Sequence, residues 1–345
     1  TPYTSSAASD VYKRQTFGLI NVNNLKNIGI IMGGYSREHE ISLKSGMVVY
    51  NTLKEYYNCY KILIKENSWT LIDENDNLKK IDKETFEVAD HPNLVFDCIF
   101  NAIHGTPGED GKMQKYFSDK NIPITGCNSY QSELTFDKVK CLNFLSSKGI
   151  KVAPSITISK TNKPNLNKIE EKVGFPCFVK ASNSGSSFGV YKVYNSDEMK
   201  NCLVSAFEVD NKVLVESHID GREFSIGVIS FNGEKKVLPI TEIITSNDFF
   251  DYEAKYEGKA KEITPAKIST ELESKLNLLS KNIYELLELR GFSRSEFIVN
   301  TSGIYYLETN TVPGLTSESI LPQQAKCANI DLKDLFINAI EEVIN

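Results

Sequence analysis

The 345-residue sequence lacks any Cys-x-x-Cys pair, and its seven cysteines (Cys59, Cys98, Cys127, Cys141, Cys177, Cys202, Cys327) are odd in number, scattered and mostly set among apolar residues. That excludes a disulfide scaffold and points to reduced, core-filling thiols in a cytoplasmic protein. No apolar run approaches the roughly 18 residues that span a bilayer; the strongest, residues 94–103, is interrupted and strand-sized. There is no excess of positive charge, with 39 Lys+Arg against 45 Asp+Glu and a net charge of −6, so binding to nucleic acid through bulk charge is not expected. Nucleotide motifs of the common kinds are missing too. Residues 105–112 have the wrong spacing for G-x-x-x-x-G-K-S/T, G-x-G-x-x-G is absent, and no H-E-x-x-H or Cys/His cluster suggests zinc.

What is present is an ordinary globular composition, 41% hydrophobic and 24% charged, at a length that suggests two or three domains. Residues 1–15 stand apart: rich in Ser, Thr and Ala, without an apolar period or a signal-peptide core, they resemble translated adaptor sequence. Residues 1–25 are therefore set aside as a non-native or disordered leader. From Lys26 onward short apolar runs alternate with helical periods, the mark of layered α/β structure. The first unit reads as strands at 28–32, 60–64, 94–103 and 122–125 with helices at 41–53 and 112–120. The second carries a helix over 134–147 and strands at 152–158, 176–180, 190–194 and 212–215. The third carries strands at 223–231 and 236–245 turned at Asn232-Gly233, a polar loop at 246–261, a helix over 271–289, and strands at 296–300 and 304–308 turned at Ser302-Gly303.

Three polar segments sit at strand ends, where α/β proteins build sites. In the strand that ends the hairpin, Glu308 and Asn310 are two residues apart and so share a face, with Glu296 on the neighbouring strand. This is either a solvated strand end or an oxygen-only cluster suited to Mg²⁺. Lys180 precedes the loop Asn183-Ser184-Gly185-Ser186-Ser187-Phe188-Gly189, whose backbone N–H groups either cradle phosphate or are simply mobile. Val215-Glu216-Ser217-His218-Ile219 leads into Gly221-Arg222-Glu223-Phe224, and His218 there reads as a surface residue.

Together and in this order the segments resemble the ATP-grasp enzymes, and within them the D-alanine–D-alanine ligases. The resemblance runs from Lys26 to the C-terminus. It is carried by Gly33-Gly34-Tyr35-Ser36-Arg37-Glu38-His39-Glu40-Ile41-Ser42, Ala102-Ile103-His104-Gly105, Gly108-Glu109-Asp110-Gly111, Asp137-Lys138, Val179-Lys180, Gly185-Ser186-Ser187-Phe188-Gly189, Phe250-Asp251-Tyr252-Glu253-Ala254-Lys255-Tyr256 and Glu308-Thr309-Asn310. Each segment alone is permissive; all eight in family order are specific.

The resemblance implies an α/β fold, α+β in its ATP-grasp part. A parallel-sheet α/β domain at 26–127 is followed by two domains, 128–219 and 220–345, that sandwich ATP. It implies ligation of two D-alanines through a D-alanyl phosphate for peptidoglycan synthesis. The alternatives are D-serine or D-lactate as second substrate, or an inactive nucleotide-binding relative. By the family pattern Lys138, Lys180 and Lys255 neutralise phosphates, Glu216 with the backbone of Ser217 to Ile219 meets adenine, and Glu223 holds the ribose. Two Mg²⁺ ions, with Mn²⁺ as a substitute, fall on Glu296, Glu308 and Asn310. Glu38 takes the ammonium of the first D-alanine with His104 nearby, while Arg294 and the N–H of Gly314 stabilise the oxyanion. Ser319 and Ile320 receive the second carboxylate. Ser186 links Glu38 to Ser319, and Tyr256 in a lid at 246–261 favours D-alanine as acceptor. A homodimer is the expected assembly. Three residues depart from the pattern: Glu296 replaces Asp, Val312 replaces a small hydroxyl residue, and Ala181 replaces proline.

Overall fold

The computed structural model describes residues 25–162, 164–185, 188–245 and 260–344. The leader, apart from Leu25, lies outside them, as do Ser186, Lys255, Tyr256 and all but the last two residues of the expected lid.

The first layer is a five-stranded sheet. Strand β1 (Asn27–Gly33) leads through helix α1 (His39–Leu53) to β2 (Asn58–Ile64), then β3 (Trp69–Ile72), β4 (Leu78–Ile81) and β5 (Cys98–Asn101), with spatial order β4-β3-β2-β1-β5. Ile28, Ile30, Ile31 and Met32 are all buried, as in a strand covered on both faces. Only β2, β1 and β5 run parallel; β3 and β4 add an antiparallel hairpin, so the expected parallel sheet is mixed. The charged sequence of β4, Leu-Lys-Lys-Ile, suits an edge and hid it from an apolar reading. The expected strand at 122–125 reduces to one bridge, Ile99 to Ile124, because Pro123 has no N–H to donate. After helix α2 (Lys112–Asp119), the expected helix over 134–147 is two, α3 (Ser129–Phe136) and α4 (Lys138–Ser147). They part at Asp137, which leaves the helical region at ψ 99 and caps α4 by accepting from Lys140 N–H.

The second sheet is four-stranded and antiparallel, order β6-β9-β7-β8, from β6 (Ser155–Ser159), β7 (Cys177–Ala181), β8 (Val190–Val193) and β9 (Lys212–Ser217). Helices α5 (Leu166–Lys172) and α6 (Ser196–Phe207) pack Ile169, Met199 and Leu203 onto its Val179, Val213 and Val215.

The third sheet is six-stranded, order β13-β12-β10-β14-β15 with β11 beside β10. Strand β10 (Arg222–Phe231) turns into β11 (Glu234–Val237) at Asn232-Gly233, both at positive φ (53° and 76°), the geometry of a tight hairpin turn. The expected strand at 236–245 is divided into β11 and β12 (Thr241–Thr245), with Pro239 between them. Strand β13 (Ala260–Ile263), helix α7 (Thr270–Leu286) and the hairpin β14 (Phe292–Asn300) and β15 (Gly303–Asn310) follow. Helices α8 (Ile320–Cys327) and α9 (Leu332–Ile344) close the chain. Leu335, Phe336 and Ile340 of α9 share one core with Ile28, Ile30 and Phe100 of the first sheet, and the rings of Phe100 and Phe336 meet edge-on at 5.4 Å. The first and third sheets are thereby joined through a common apolar interior. No helix among the described residues is long and apolar enough to cross a membrane.

Candidate active site

The β14/β15 hairpin places four polar residues together. Glu296 lies opposite Glu308 and Arg294 opposite Asn310, so all four project from one face. Arg294 Nη2 is 3.1 Å from Glu296 Oε1, and Lys138 Nζ is 3.8 Å from Glu308 Oε2. Glu296 is buried, and the Arg294 guanidinium is its Oε1's ion-pair partner although the two are not aligned as a hydrogen bond. Asn310 Oδ1 accepts from Val312 N–H at 2.9 Å and keeps a second lone pair. A buried carboxylate paired, among the described residues, only with Arg294, a second carboxylate directly across the ladder and an amide oxygen with a spare lone pair form an oxygen set that suits a hard divalent cation. Among the described residues no three His, Cys, Asp or Glu side chains converge as a metal cluster, so the oxygen set is these two glutamates and the asparagine.

Facing the hairpin, β7 and β9 carry a buried ion pair, Lys180 Nζ to Glu216 Oε2 at 2.6 Å. Burial alone would depress the Lys180 ammonium, but Glu216, with Glu308 and Glu223 behind it, holds its pKa above the ordinary lysine value. The other Glu216 oxygen, Oε1, is buried without a hydrogen-bond partner. The N–H groups of Ser217 and His218 are spent on the carbonyls of Pro154 and Pro176, which leaves Ile219 as the segment's remaining candidate amide. Lys138 begins α4 and bonds the Ser184 carbonyl with its ammonium; this anchors the Gly/Ser loop as far as Gly185.

From the first layer comes Glu38, buried at the N-terminus of α1. A Cβ built on Gly185 would lie 2.6 Å from Glu38 Oε2, so the loop comes this close only because residue 185 has no side chain. Two adjoining cavities share Glu38, Arg294 and Asn310 as walls. The smaller also meets Lys138, Ser184, Gly185 and Glu308. The larger, about 420 Å³, also meets His104, Gly314, Ser319 and Ile320. Ser319 is the N-cap residue of α8, and its hydroxyl is 2.9 Å from that of Thr316.

His104 is fully engaged by protein: Nδ1 lies 2.7 Å from the Val312 carbonyl and Nε2 2.8 Å from Ser45 Oγ. Burial lowers its pKa. The neutral ring must donate from Nδ1 and accept at Nε2, and it offers the cavity only its ring edge. Glu109, which sequence reasoning quoted within a motif without a role, is a second buried carboxyl on the smaller cavity. Burial pushes it up to about 8, with Glu38 adding to the push while the N–H groups of Gly105 and Val312 pull the other way. Glu262 of β13 also reaches the larger cavity; burial raises its carboxyl too.

The structure thus sets Glu38, His104, Lys138, Arg294, Glu308, Asn310, Gly314, Ser319 and Ile320 on two adjoining cavities; Glu296 pairs with Arg294, and Lys180, Glu216 and Glu223 form a neighbouring charged group outside that lining. An antiparallel sheet carrying the Lys180–Glu216 pair, a helix start carrying Lys138 and a carboxylate hairpin from a second antiparallel sheet, beside an α/β layer that contributes a buried glutamate, define a ligase of the ATP-grasp class. A model described as D-ala D-ala ligase N-terminus matches residues 27–127, and one described as D-ala D-ala ligase C-terminus matches residues 144–341. The chain is 53% identical over 319 residues to a D-alanine–D-alanine ligase of Flavobacterium johnsoniae, covering 92% of this chain and 99% of the relative. It is 46% identical over 322 residues to one of Christiangramia forsetii, covering 93% and 99%. Among solved structures it is similar to D-alanyl-alanine synthetase A of Vibrio cholerae (TM-score 0.84, 25% identity, 93% of this chain and 98% of that one). It is also similar to the VanG D-Ala:D-Ser ligase of Enterococcus faecalis (TM-score 0.83, 31% identity, 92% and 99%). The chain belongs to the D-alanine–D-alanine ligase family.

Proposed function

We propose that this enzyme joins two D-alanines at the expense of ATP. A carboxylate resists attack by an amine at neutral pH, so the first D-alanine must be activated. Its carboxylate oxygen attacks the γ-phosphorus and ADP leaves; the amine of the second D-alanine then attacks the acyl carbon, and phosphate leaves as the C–N bond forms and the amine sheds its proton. The observation that carries this reading is the shared wall of Glu38, Arg294 and Asn310 between two adjoining cavities. A carboxylate, a guanidinium and an amide side by side support assigning them to the ammonium, the oxyanion and the metal side of the phosphates.

In this reading Glu38 holds the first ammonium, and Lys138 and Lys180 meet phosphate oxygens. The spare Oε1 of Glu216 accepts from the purine amino group beside Ile219, and Glu223 takes the ribose. Arg294 and the Gly314 N–H take the charge of the tetrahedral intermediate, while Ser319 and the Ile320 N–H receive the second carboxylate. Glu296, Glu308 and Asn310 would hold Mg²⁺, which when bound neutralises phosphate charge during transfer. The roles given to Ser186, Lys255 and Tyr256 fall on residues outside those described and rest on the resemblance alone. The units 26–127, 128–219 and 220–345, a homodimeric state and a cytoplasmic location belong to the same reading.

D-serine as acceptor is a second reading, supported by the likeness to the D-Ala:D-Ser ligase. Purified protein incubated with ATP, Mg²⁺ and an equimolar mixture of D-alanine, D-serine and D-lactate, with products resolved by mass, tests both. D-alanyl-D-alanine should dominate; a dominant mixed product would overturn the assignment of acceptor, and no product at all the assignment of activity.

A further inference from the structure

The segment Gly108-Glu109-Asp110-Gly111 takes no part in the chemistry above, yet Glu109 reaches two loops at once. Its Oε2 accepts from Gly105 N–H at 2.6 Å, and its Oε1, at 3.3 Å, shares the Val312 N–H with Asn310 Oδ1, which accepts it at 2.9 Å. The Val312 carbonyl in turn accepts from His104 Nδ1–H at 2.7 Å. Two side chains of one loop therefore hold both polar groups of a single peptide residue more than 200 positions away. Ser45 of α1 supplies a third grip: its hydroxyl donates to His104 Nε2 at 2.8 Å and accepts from Leu315 N–H at 3.2 Å. Val312 and Leu315 bracket Pro313-Gly314, so the Gly314 N–H is fixed from both sides by the first layer of the molecule.

The gripping loop is itself held. Asn101 Nδ2 donates to the Gly108 carbonyl at 2.8 Å and Thr106 Oγ1 to Asp110 Oδ2 at 2.8 Å. At its other end Ser36 Oγ donates to the His104 carbonyl at 2.9 Å and accepts from Glu38 N–H at 3.2 Å. A continuous run of hydrogen bonds thus leads from Glu38 to the residues flanking Gly314.

We propose that Glu109, with His104 and Ser45, is a positioning residue that fixes the oxyanion donor Gly314 relative to the amino acid held by Glu38. The inference rests on the function proposed above. An oxyanion donor acts only when it lies at hydrogen-bond distance from where charge develops, and a misplacement of about 1 Å can cost about 100-fold in rate. Because the grip is on the main chain of residue 312, it does not depend on the side chain there. That accounts for valine at a position where the family usually has a small hydroxyl residue.

The test is steady-state kinetics of Glu109→Gln and Ser45→Ala with D-alanine and ATP, beside thermal melting of each. Glu109→Gln turns one of the two acceptor oxygens into a donor that faces an N–H; Ser45→Ala releases Leu315 and leaves the Glu109 carboxyl untouched, and serves if the first variant fails to fold. For each variant kcat should fall by about 10- to 100-fold with KM for ATP within twofold, in a protein that still melts cooperatively. An unchanged kcat in either folded variant overturns the clamp, as does a loss that appears equally in KM for ATP and in melting. Absence of dipeptide synthesis by the unaltered enzyme would instead bring down the functional reading on which the clamp rests.

Discussion

Replacing Glu216 by glutamine keeps the shape of the side chain and removes its charge and half of its acceptor capacity. In the folded protein this carboxylate does two things: Oε2 bonds Lys180 at 2.6 Å, and Oε1 is buried with no partner. An orphaned buried acceptor costs roughly 1–3 kcal/mol unless something satisfies it, and a purine amino group would do so. Glutamate is acceptor-only, whereas glutamine can turn its amide and present a donor. A charge-assisted hydrogen bond is worth about 1.5–3 kcal/mol, so losing it should raise KM for ATP by about 10- to 100-fold. Glu216 itself is assigned to the base and reaches the phosphates only through Lys180, so kcat should fall less than KM for ATP rises. GTP carries an acceptor where ATP carries the amino group, and the ratio of kcat/KM for ATP over GTP should contract. The assay is coupled ADP or GDP release under saturating D-alanine, in wild type, Glu216→Gln, Lys180→Met and the double variant, whose cycle separates the ion pair from the purine contact. An ATP KM and an ATP/GTP ratio both unchanged in Glu216→Gln would refute the assignment of Glu216 to the base.

Three further outcomes follow from the same geometry. Gly185→Ala should raise KM for the first D-alanine by about tenfold, roughly 1.4 kcal/mol, because the new Cβ would lie 2.6 Å from Glu38 Oε2; an unchanged KM would mean that Glu38 does not bind the ammonium in this position. Glu296→Gln should raise the Mg²⁺ concentration for half-maximal rate and cut kcat by about 100-fold or more, with Glu296→Asp largely retaining activity; a Mg²⁺ titration unmoved in Glu296→Gln contradicts the ligand assignment. His104 is kept neutral by burial, so below its unfolded value of about 6.5 the unfolded chain takes up a proton that the folded one refuses. Stability is therefore greatest above that pH and falls as pH drops, by at most about 1.4 kcal/mol per unit from this group. Urea melts at pH 7.5 and 5 should show a smaller acid loss in His104→Gln than in wild type.

The parts of the site legible in the sequence were those governed by a local period. Glu308 and Asn310 share a face because a strand alternates, but the register of the Ser302-Gly303 turn alone would set Glu296 opposite Leu307; a bulge after Glu296, which no local period announces, brings it opposite Glu308. The ion pair between Lys180 and Glu216 was not legible, because it depends on how β7 and β9 pair across 36 residues, and hydrophobic pattern does not state register between separated strands. Nor could the sequence place Glu109 and Ser45 on the loop around Gly314; those contacts depend on the docking of the first layer onto the third. In the fold, most apolar strands were visible but the short strand β3 and the charged strands β4 and β13 were not, and Asp137 reads as an ordinary helix residue until Ser182 and the Lys140 N–H engage its carboxylate. The individual roles came from the family resemblance, since the lysines and glutamates concerned are spread over 38–308 with no local signature of their own.

The central claim is that ligation passes through an acyl phosphate, and the fate of the carboxylate oxygen tests it most directly. With D-alanine labelled with ¹⁸O in its carboxylate, one labelled oxygen should appear in inorganic phosphate for every dipeptide formed, and ADP should carry none. Dipeptide formed with unlabelled phosphate, or with label in AMP, would contradict the account.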